Sequence, residues 1–157
     1  MKIWLVFFSV LSTVTSTEAA VLAVAAGRHT CALLSGGAIK CWGKNNFGQL
    51  GDGTTTSNSS TPVDVSGITT ATSIGVGGFH TCALLSDGEI KCWGHNNFGQ
   101  LGDGTTTGSI TPVDVSGITT ATSLALGESH SCALLSGGAI KCWGIHDSGQ
   151  LGDGTTT

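Results

Sequence analysis

The chain has 157 residues, a length that suits one domain, and 39% of them are hydrophobic, which is enough to form a core. Twenty-five glycines and only 10% charged residues predict many turns and few solvated helices. A formal net charge of −4, with only six Lys and Arg residues, argues against nucleic acid as a partner.

The first 19 residues predict a secretory signal peptide. Lys2 precedes a mainly apolar stretch at residues 3–11, and Thr17 and Ala19 are the small residues expected before a cleavage site. The alternatives are a buried strand or a membrane anchor, but about nine residues cannot cross a hydrocarbon core that needs roughly 20. We therefore expect cleavage after Ala19 and a secreted or extracellular protein without a membrane span, periplasmic if its source is bacterial.

Three similar units make up a repeat region at residues 20–157. The cysteine pairs recur after 51 and then 50 residues, and the stretch TPVDVSGITTATS is identical at residues 61–73 and 111–123. Repetition of this kind predicts one structural module used several times. The predicted units span about residues 21–71, 72–121 and 122–157, and the last of them is incomplete.

Each complete unit predicts four short β-strands. Runs such as SIGVG, HTCALL, EIKCW and TPVDV are separated by clusters of Gly, Asp, Asn and Thr. Pro62 and Pro112 are expected to begin the last strand, where a missing N–H does the least harm. Four strands in a repeat of roughly 40 to 50 residues are typical of a β-propeller, which we prefer to a β-solenoid with its shorter period.

The segment CALLSDGEIKCWG, residues 82–94, predicts a β-hairpin closed by a disulfide. Ser-Asp-Gly at residues 86–88 suits a three-residue loop that ends with a positive φ, which sets Leu85 opposite Glu89. Counting outward places the two cysteines opposite each other at a non-hydrogen-bonded site, where α-carbons approach to about 4.5 Å. A redox or zinc site would need a closer spacing such as C-x-x-C. The same count predicts three disulfides: Cys31–Cys41, Cys82–Cys92 and Cys132–Cys142.

One pattern of residues runs through essentially all of residues 21–157: G-x-x-H-T-C-A-L-L-x-x-G-x-I-K-C-W-G-x-N-x-x-G-Q-L-G-D-G-T. The first two units match it at Trp42-Gly43, Asn45, Gly48–Gly51, Trp93-Gly94, Asn96 and Gly99–Gly102. The third keeps Trp143-Gly144 and Gly149–Gly152, with His146 and Asp147 in place of the paired asparagines. This pattern resembles the repeat of the regulator of chromosome condensation family.

The resemblance implies an all-β fold, a β-propeller of about seven blades. Because the chain holds fewer than three complete units, we expect an incomplete arc of about three four-stranded blades. Such an arc leaves sheet faces and edges exposed. We therefore expect a fragment of a longer protein or, if the chain is this short, a protomer that self-associates.

Three features recur along the chain and resemble functional sites, but each fits a structural role better. The histidines before each first cysteine fit hydrogen bonding better than a metal ring, and the tryptophans after each second cysteine fit core packing better than an exposed aromatic surface. The Gly-Asp-Gly-Thr segments lack the alternating acidic ligands of a calcium loop and predict tight turns. We expect no cofactor and no metal site. The histidines are His29, His80 and His130, and the tryptophans are Trp42, Trp93 and Trp143.

Two hypotheses for function remain. The sequence lacks a nucleophile elbow, an H-E-x-x-H motif and a P-loop, so we expect a secreted, non-catalytic module whose loop tips bind a protein partner. The resemblance extends to a secreted propeller that inhibits β-lactamases. The alternative that it implies is guanine nucleotide exchange on a small GTPase, but that partner is cytosolic or nuclear. The candidate binding residues are Asn45, Phe47, Asn96, Phe98, His146 and Asp147.

Overall fold

The computed structural model describes residues 19–55 and 58–156, which form an all-β fold. Its strands form three antiparallel sheets with the orders β1-β2-β3-β4, β5-β6-β7-β8 and β9-β10-β11. One sheet therefore corresponds to each repeat, and the predicted all-β repeat fold with an incomplete third unit is confirmed. The strands are β1 Val21–Ala26, β2 His29–Leu34, β3 Ile39–Gly43, β4 Ser59–Asp64, β5 Ala71–Val76, β6 His80–Leu85, β7 Ile90–Gly94, β8 Ser109–Asp114, β9 Ala121–Leu126, β10 His130–Leu135 and β11 Ile140–Gly144.

The predicted signal peptide lies outside the described residues except for Ala19. In the part of the chain that the structure describes, no helix is long and apolar enough to cross a membrane.

The second and third sheets begin at the last residue of the first and second predicted units. Ala71 is the first residue of β5 and Ala121 is the first residue of β9. Both alanines are buried, at 6% and 7% exposure. The register shifts between Ala71 and Ser73, and Ala71 remains paired with Leu85. Ala71 therefore belongs to the second sheet.

The two prolines do not begin their strands, contrary to our expectation. Pro62 is the fourth residue of β4, and Pro112 is the fourth residue of β8. Both strands lie at the outer edge of their sheets, where an N–H without a partner is tolerated. The register of β3 with β4 also shifts between Cys41 and Gly43, opposite Pro62, so the ladder is already interrupted there.

The hairpin between β6 and β7 has the predicted register. The backbone N–H of Leu85 donates to the carbonyl of Glu89 at 2.9 Å, and Gly88 has a φ of +86° at the end of the loop. In each of the three hairpins the two cysteines lie directly opposite each other, with their α-carbons 4.1 Å apart. The structure joins them as the disulfides Cys31–Cys41, Cys82–Cys92 and Cys132–Cys142.

Each sheet packs one face on the next sheet along the chain. We call the face toward the following sheet the trailing face and the opposite one the leading face. The trailing face of the first sheet packs against the leading face of the second, and the second packs against the third in the same way. Each buried Leu or Ile contributes about 1.5 to 3 kcal/mol to such a contact. The first contact is built from Leu33, Ile39 and Leu50 with Ala83, Leu85 and Trp93, and the second from Leu84, Ile90 and Leu101 with Ala133, Leu135 and Trp143.

A chain of hydrogen bonds, which we call the inter-sheet relay, crosses each contact. His29 Nε2 lies 2.6 Å from Thr81 Oγ1, and the Thr81 hydroxyl donates to the Gln49 carbonyl at 2.8 Å. Trp93 Nε1 donates to the same carbonyl at 3.0 Å. Because the single hydroxyl hydrogen of Thr81 is used on Gln49, His29 must donate from Nε2, which fixes its tautomer.

The second contact repeats the relay. His80 Nε2 lies 2.9 Å from Ser131 Oγ, the Ser131 hydroxyl donates to the Gln100 carbonyl at 3.0 Å, and Trp143 Nε1 donates to that carbonyl at 2.9 Å. Serine replaces threonine here without loss of a hydrogen bond. His29, His80, Trp93 and Trp143 therefore serve the packing of one sheet on the next.

Burial keeps the relay histidines neutral. It lowers the pKa of His29 to about 4. Burial, together with the charges of His29, His130 and His95, lowers the pKa of His80 to about 3. A protonated ring would place a positive charge in the core, and its second N–H would have no acceptor, because Nδ1 of both rings is buried without a hydrogen-bond partner among the described residues.

We predict that stability decreases as the pH falls from about 6.5, the ordinary histidine pKa, toward about 4. In this window the unfolded chain binds protons at residues 29 and 80 and the folded chain does not, so the free energy of unfolding decreases by about 1.4 kcal/mol per pH unit for each ring. Chemical denaturation at several pH values measures the slope.

The matched variant is His80→Gln, whose amide can still donate to Ser131 but does not titrate. It should lose about half of the slope. A free energy of unfolding that stays constant between pH 6.5 and pH 5 in the unmodified chain would contradict the buried neutral histidines.

Candidate functional site

Two of the predicted binding residues are wrong, because they are buried. Asn45 and Asn96 are 1% and 0% exposed. Asn96 Oδ1 accepts from the backbone N–H of Leu101 at 2.9 Å, and its Nδ2 donates to the carbonyls of Thr105 at 3.1 Å and Thr107 at 3.0 Å. The side chain closes its own loop, and Asn45 does the same one repeat earlier. Both residues hold the loop tips in place and offer a partner no surface.

Phe47 and Phe98 are exposed at the tips of these loops. Their side chains are 40% and 50% exposed. The buried glutamine two residues later fixes each tip: Gln49 Oε1 accepts from the backbone N–H of Phe47 at 2.9 Å, and Gln100 Oε1 accepts from that of Phe98 at 3.0 Å. A loop held in this way presents its phenylalanine in one position, which reduces the entropy lost on binding.

These rings belong to an aromatic cluster that joins the first two repeats. Phe47 packs edge-on against Phe79 and His95, with centroid distances of 5.2 Å and 4.7 Å. His95 in turn lies 6.2 Å from Phe98, also edge-on. Edge-to-face packing at these distances is favourable. The loop-end cluster, by which we mean Phe47, Phe79, His95 and Phe98, thus runs along one end of the first two sheets.

Two cations lie on the cluster. The Arg28 guanidinium carbon is 4.7 Å from the centroid of the Phe79 ring, and Lys44 Nζ is 5.2 Å from it, within the range of cation–π attraction. Among the described residues the ion pairs are Lys40–Asp64 and Lys91–Asp114. Arg28 and Lys44 therefore have no carboxylate within 4.0 Å in that part of the chain. We call the cluster with these two cations the loop-end surface.

His95 is neutral and oriented within this surface. Gln100 Nε2 lies 2.9 Å from His95 Nδ1, so the amide donates to the ring and the ring hydrogen is on Nε2. Partial burial lowers the pKa of His95 below its ordinary value. The positive charge of this surface therefore comes from Arg28 and Lys44.

The third repeat continues the surface with different chemistry. A shallow groove is lined by Phe98, Ile145, His146 and Asp147, so the predicted residues of the second and third loops lie side by side. Gln150 Nε2 donates to Asp147 Oδ1 at 2.9 Å, which holds the carboxylate at the loop tip. The surface is thus aromatic and cationic over the first two repeats and acidic at the third.

The Gly-Asp-Gly-Thr segments form turns. Asp52 Oδ1 accepts from the backbone N–H of Thr54 at 3.0 Å and from its hydroxyl at 2.9 Å, and Asp103 and Asp153 repeat this turn. Across residues 19–55 and 58–156, no three side chains of His, Cys, Asp or Glu come close enough together to hold a metal ion.

Two sequence profiles of one repeat family match this chain. The sequence profile of the regulator of chromosome condensation (RCC1) repeat matches residues 21–49, 71–100 and 121–150. A second profile of the same repeat matches residues 37–84 and 87–134. The chain belongs to the RCC1 repeat family.

Known relatives of this RCC1-repeat chain are much longer. It is 37% identical to the human probable E3 ubiquitin-protein ligase HERC4 over 76 residues, which are 47% of this chain and 7% of that protein. The crystal structure of human WBSCR16 is similar with a TM-score of 0.78 and 26% identity, over 88% of this chain and 37% of that one. Yeast RCC1 (Prp20), in a crystal structure with Kap60, is similar with a TM-score of 0.71 and 26% identity, over 85% of this chain and 31% of that one.

The predicted binding residues leave out four members of the loop-end surface in this RCC1-repeat chain. Arg28 and Phe79 occupy the turn before the relay histidine, and Lys44 and His95 follow the Trp-Gly pair. None of them recurs at the same place in all three repeats, so the repeat pattern conceals them. Their irregularity against a repeated background was the available signal.

We predict that Asn96→Ala destabilises the chain and that Phe98→Ala does not. Loss of Asn96 leaves several buried backbone groups without partners, which should cost about 1 to 3 kcal/mol of unfolding free energy. Phe98 is half exposed, so its truncation should change that free energy by about 0.5 kcal/mol or less. Denaturant titrations of the two variants beside the unmodified chain provide the comparison, and equal effects would contradict the division between loop support and free surface.

Proposed function

We propose that this RCC1-repeat chain is a secreted, non-catalytic module that binds a protein partner through the loop-end surface. The observation that carries the proposal is the joining of two exposed phenylalanines and two cations into one surface across two repeats, with no carboxylate within 4.0 Å of either cation in the described part of the chain. An enzyme would need polar groups aimed at a reacting atom, and the side chains of this surface are arranged for contact.

The surface has the composition of a protein-binding hot spot. Aromatic residues and arginine are enriched at such spots, and aromatic rings bury much area with little loss of side-chain freedom. Phe47 and Phe98 remain 40% and 50% exposed although their backbones are fixed, so binding could cover them without reorganising the loops. Exposed apolar rings within a polar rim are typical of interaction sites.

The charges favour a particular kind of partner. Arg28 and Lys44 lie beside Phe79 and have no ion-pair partner among residues 19–55 and 58–156, whereas Asp147 lies in the third repeat. A segment that presents an aromatic or aliphatic side chain next to an acidic one would cover the rings and pair with the cations. We therefore propose an acidic, partly apolar protein segment as the ligand.

Similarity to other RCC1-type proteins supports a protein partner. The related yeast RCC1 (Prp20) is known in a complex with Kap60. Ligase activity is not carried over from HERC4, because this chain aligns with only 7% of that protein.

Export is the second part of the proposal. It rests on the signal-peptide pattern of residues 1–19 and on three disulfides, which form and persist in oxidising compartments. We do not propose nucleotide exchange on a small GTPase, because a cytosolic or nuclear location would keep these cysteines reduced.

We predict that a cell expressing the whole chain releases a form that begins at Ala20. Its intact mass should increase by two hydrogens for each of three disulfides on reduction, and alkylation before reduction should label no cysteine. Mass spectrometry of medium, or of periplasm for a bacterial host, provides the measurement. Retention of residues 1–19 on a cytosolic product with reactive thiols would contradict export.

We predict that a partner captured from the secreted fraction depends on the loop-end surface. The double variant Phe47→Ala with Phe98→Ala should reduce capture by at least about tenfold, because two hot-spot rings are lost. Lys44→Gln should weaken it and reduce its dependence on salt.

The matched control is Ser148→Ala, which changes the equivalent loop position of the third repeat and should leave capture unchanged. Cross-linking and mass spectrometry identify the partner and the contact site. Capture that survives the double variant and is lost only when the chain is unfolded would contradict this surface as the binding site.

A further inference from the structure

The start of β4 carries a tripeptide with the pattern of an asparagine-linked glycosylation site. Asn58-Ser59-Ser60 combines an asparagine, a middle residue other than proline and a hydroxyl residue two positions after the asparagine. The other four asparagines of the chain are followed at that distance by phenylalanine or glycine, so the sequence offers a single acceptor. Those four are Asn45, Asn46, Asn96 and Asn97.

The tripeptide lies on an exposed sheet edge. Asn58 is exposed and comes directly before β4, the outermost strand of the first sheet. Ser60 is exposed as well, and it is not paired with a residue of β3, because the register shifts between Cys41 and Gly43. A glycan is bulky and hydrophilic, so the folded chain can carry it only on a surface segment of this kind.

The Asn58 side chain uses its oxygen within the protein and directs its nitrogen away. Its Oδ1 accepts from the backbone N–H of Asn45 at 3.0 Å. A backbone N–H only donates, so the atom that faces it is the oxygen and not Nδ2. Nδ2, the atom that receives the sugar, makes no hydrogen bond within residues 19–55 and 58–156. A glycosylated amide keeps its carbonyl oxygen, so the contact with Asn45 survives the modification.

The framework of the repeat does not require this asparagine. Ser59 Oγ donates to the carbonyl of Thr61 at 2.6 Å. In the second repeat Ser109 Oγ donates to the carbonyl of Thr111 at the same distance, which places the two segments in register. The equivalent of Asn58-Ser59-Ser60 is therefore Gly-Ser-Ile at residues 108–110. The second loop folds with neither the amide nor the second hydroxyl, so packing of the repeat does not account for them.

We propose that Asn58 is a site of N-linked glycosylation. The inference rests on the proposed export, because the transferase acts on chains in the secretory pathway. The donor is an oligosaccharide joined at its anomeric carbon to a lipid pyrophosphate. Nδ2 forms a bond to that carbon and loses one proton, while the bond from the carbon to the pyrophosphate oxygen breaks and the lipid pyrophosphate leaves with the electron pair.

The glycan stands beside the loop-end surface. Ser59 pairs with Gly43, and Asn58 binds the backbone of Asn45, so Asn58 lies at the same end of the first sheet as Lys44. A hydrated glycan there covers the outer edge of β4 and hinders its pairing with a strand of another chain. A partner of the loop-end surface has to approach past this glycan.

Expression in a eukaryotic cell tests the proposal with two versions of the chain. One is the natural chain, and the other has residues 1–19 replaced by a secretion signal of the host. The secreted product of each should have the mass of the chain from Ala20 with three disulfides plus one glycan. Peptide N-glycosidase should remove the glycan and leave an aspartate in place of Asn58, which mass spectrometry of the peptides locates.

Variants at the hydroxyl position separate the glycan from the asparagine itself. Ser60→Ala should abolish the glycan although Asn58 and its contact with Asn45 remain. Ser60→Thr should retain the glycan, because threonine supplies the same hydroxyl. The matched control is Asn46→Gln, at an exposed asparagine of the neighbouring loop that has glycine two positions later, and it should leave the glycan in place.

The two versions distinguish failure of this proposal from failure of export. Secretion of both with an unmodified Asn58 would overturn glycosylation and leave export intact. A glycosylated product from the host-signal version alone would support the site and contradict the natural signal peptide. A glycan that persists in Ser60→Ala would overturn the assignment to Asn58.

Discussion

The structure depends on one backbone carbonyl at each contact between sheets. The carbonyl of Gln49 accepts a hydroxyl and an indole N–H from the next sheet, and the imidazole of His29 completes the chain of hydrogen bonds from its own sheet. These groups are buried, so a small displacement of one sheet on the other would leave some of them without hydrogen-bond partners. Each unpaired group would reduce the stability of the fold. The relay therefore sets both the spacing and the register of one sheet on the next.

Most other features follow from that contact. Gly51 and Gly102, which follow the first two Gln-Leu pairs, leave room for the tryptophan of the next sheet: a β-carbon added at Gly51 would lie 2.6 Å from Trp93 Nε1. The disulfide keeps the two central strands of each hairpin together, so the histidine on one strand and the tryptophan on the other move as a unit. The loop tips are built on the same glutamine, whose side chain fixes the exposed phenylalanine while its carbonyl holds the relay. Packing between repeats and presentation of the surface are thus coupled through Gln49 and Gln100.

The sequence predicted local features well, and it predicted poorly the features that depend on contacts between strands and between sheets. Strand number, hairpin register and cysteine pairing followed from period and turn chemistry, because these are local. The prolines were misplaced because sheet-edge position and the register shift opposite Pro62 are not local properties. A position at a loop tip makes Asn45 and Asn96 candidate binding residues, and only the fold shows that their side chains are buried. Arg28 approaches Phe79, and Phe47 approaches Phe79 and His95, only when the first two sheets are packed, so no single unit reveals the whole surface.

The most direct test of the relay is the protonation state of His29 and His80, observed by long-range ¹H–¹⁵N NMR of the imidazole rings at about pH 5. This value lies between the ordinary histidine pKa of about 6.5 and the pKa of about 4 for His29. Both rings should be neutral there, with the hydrogen on Nε2 and none on Nδ1. Doubly protonated rings at that pH, or neutral rings with the hydrogen on Nδ1, would contradict the relay.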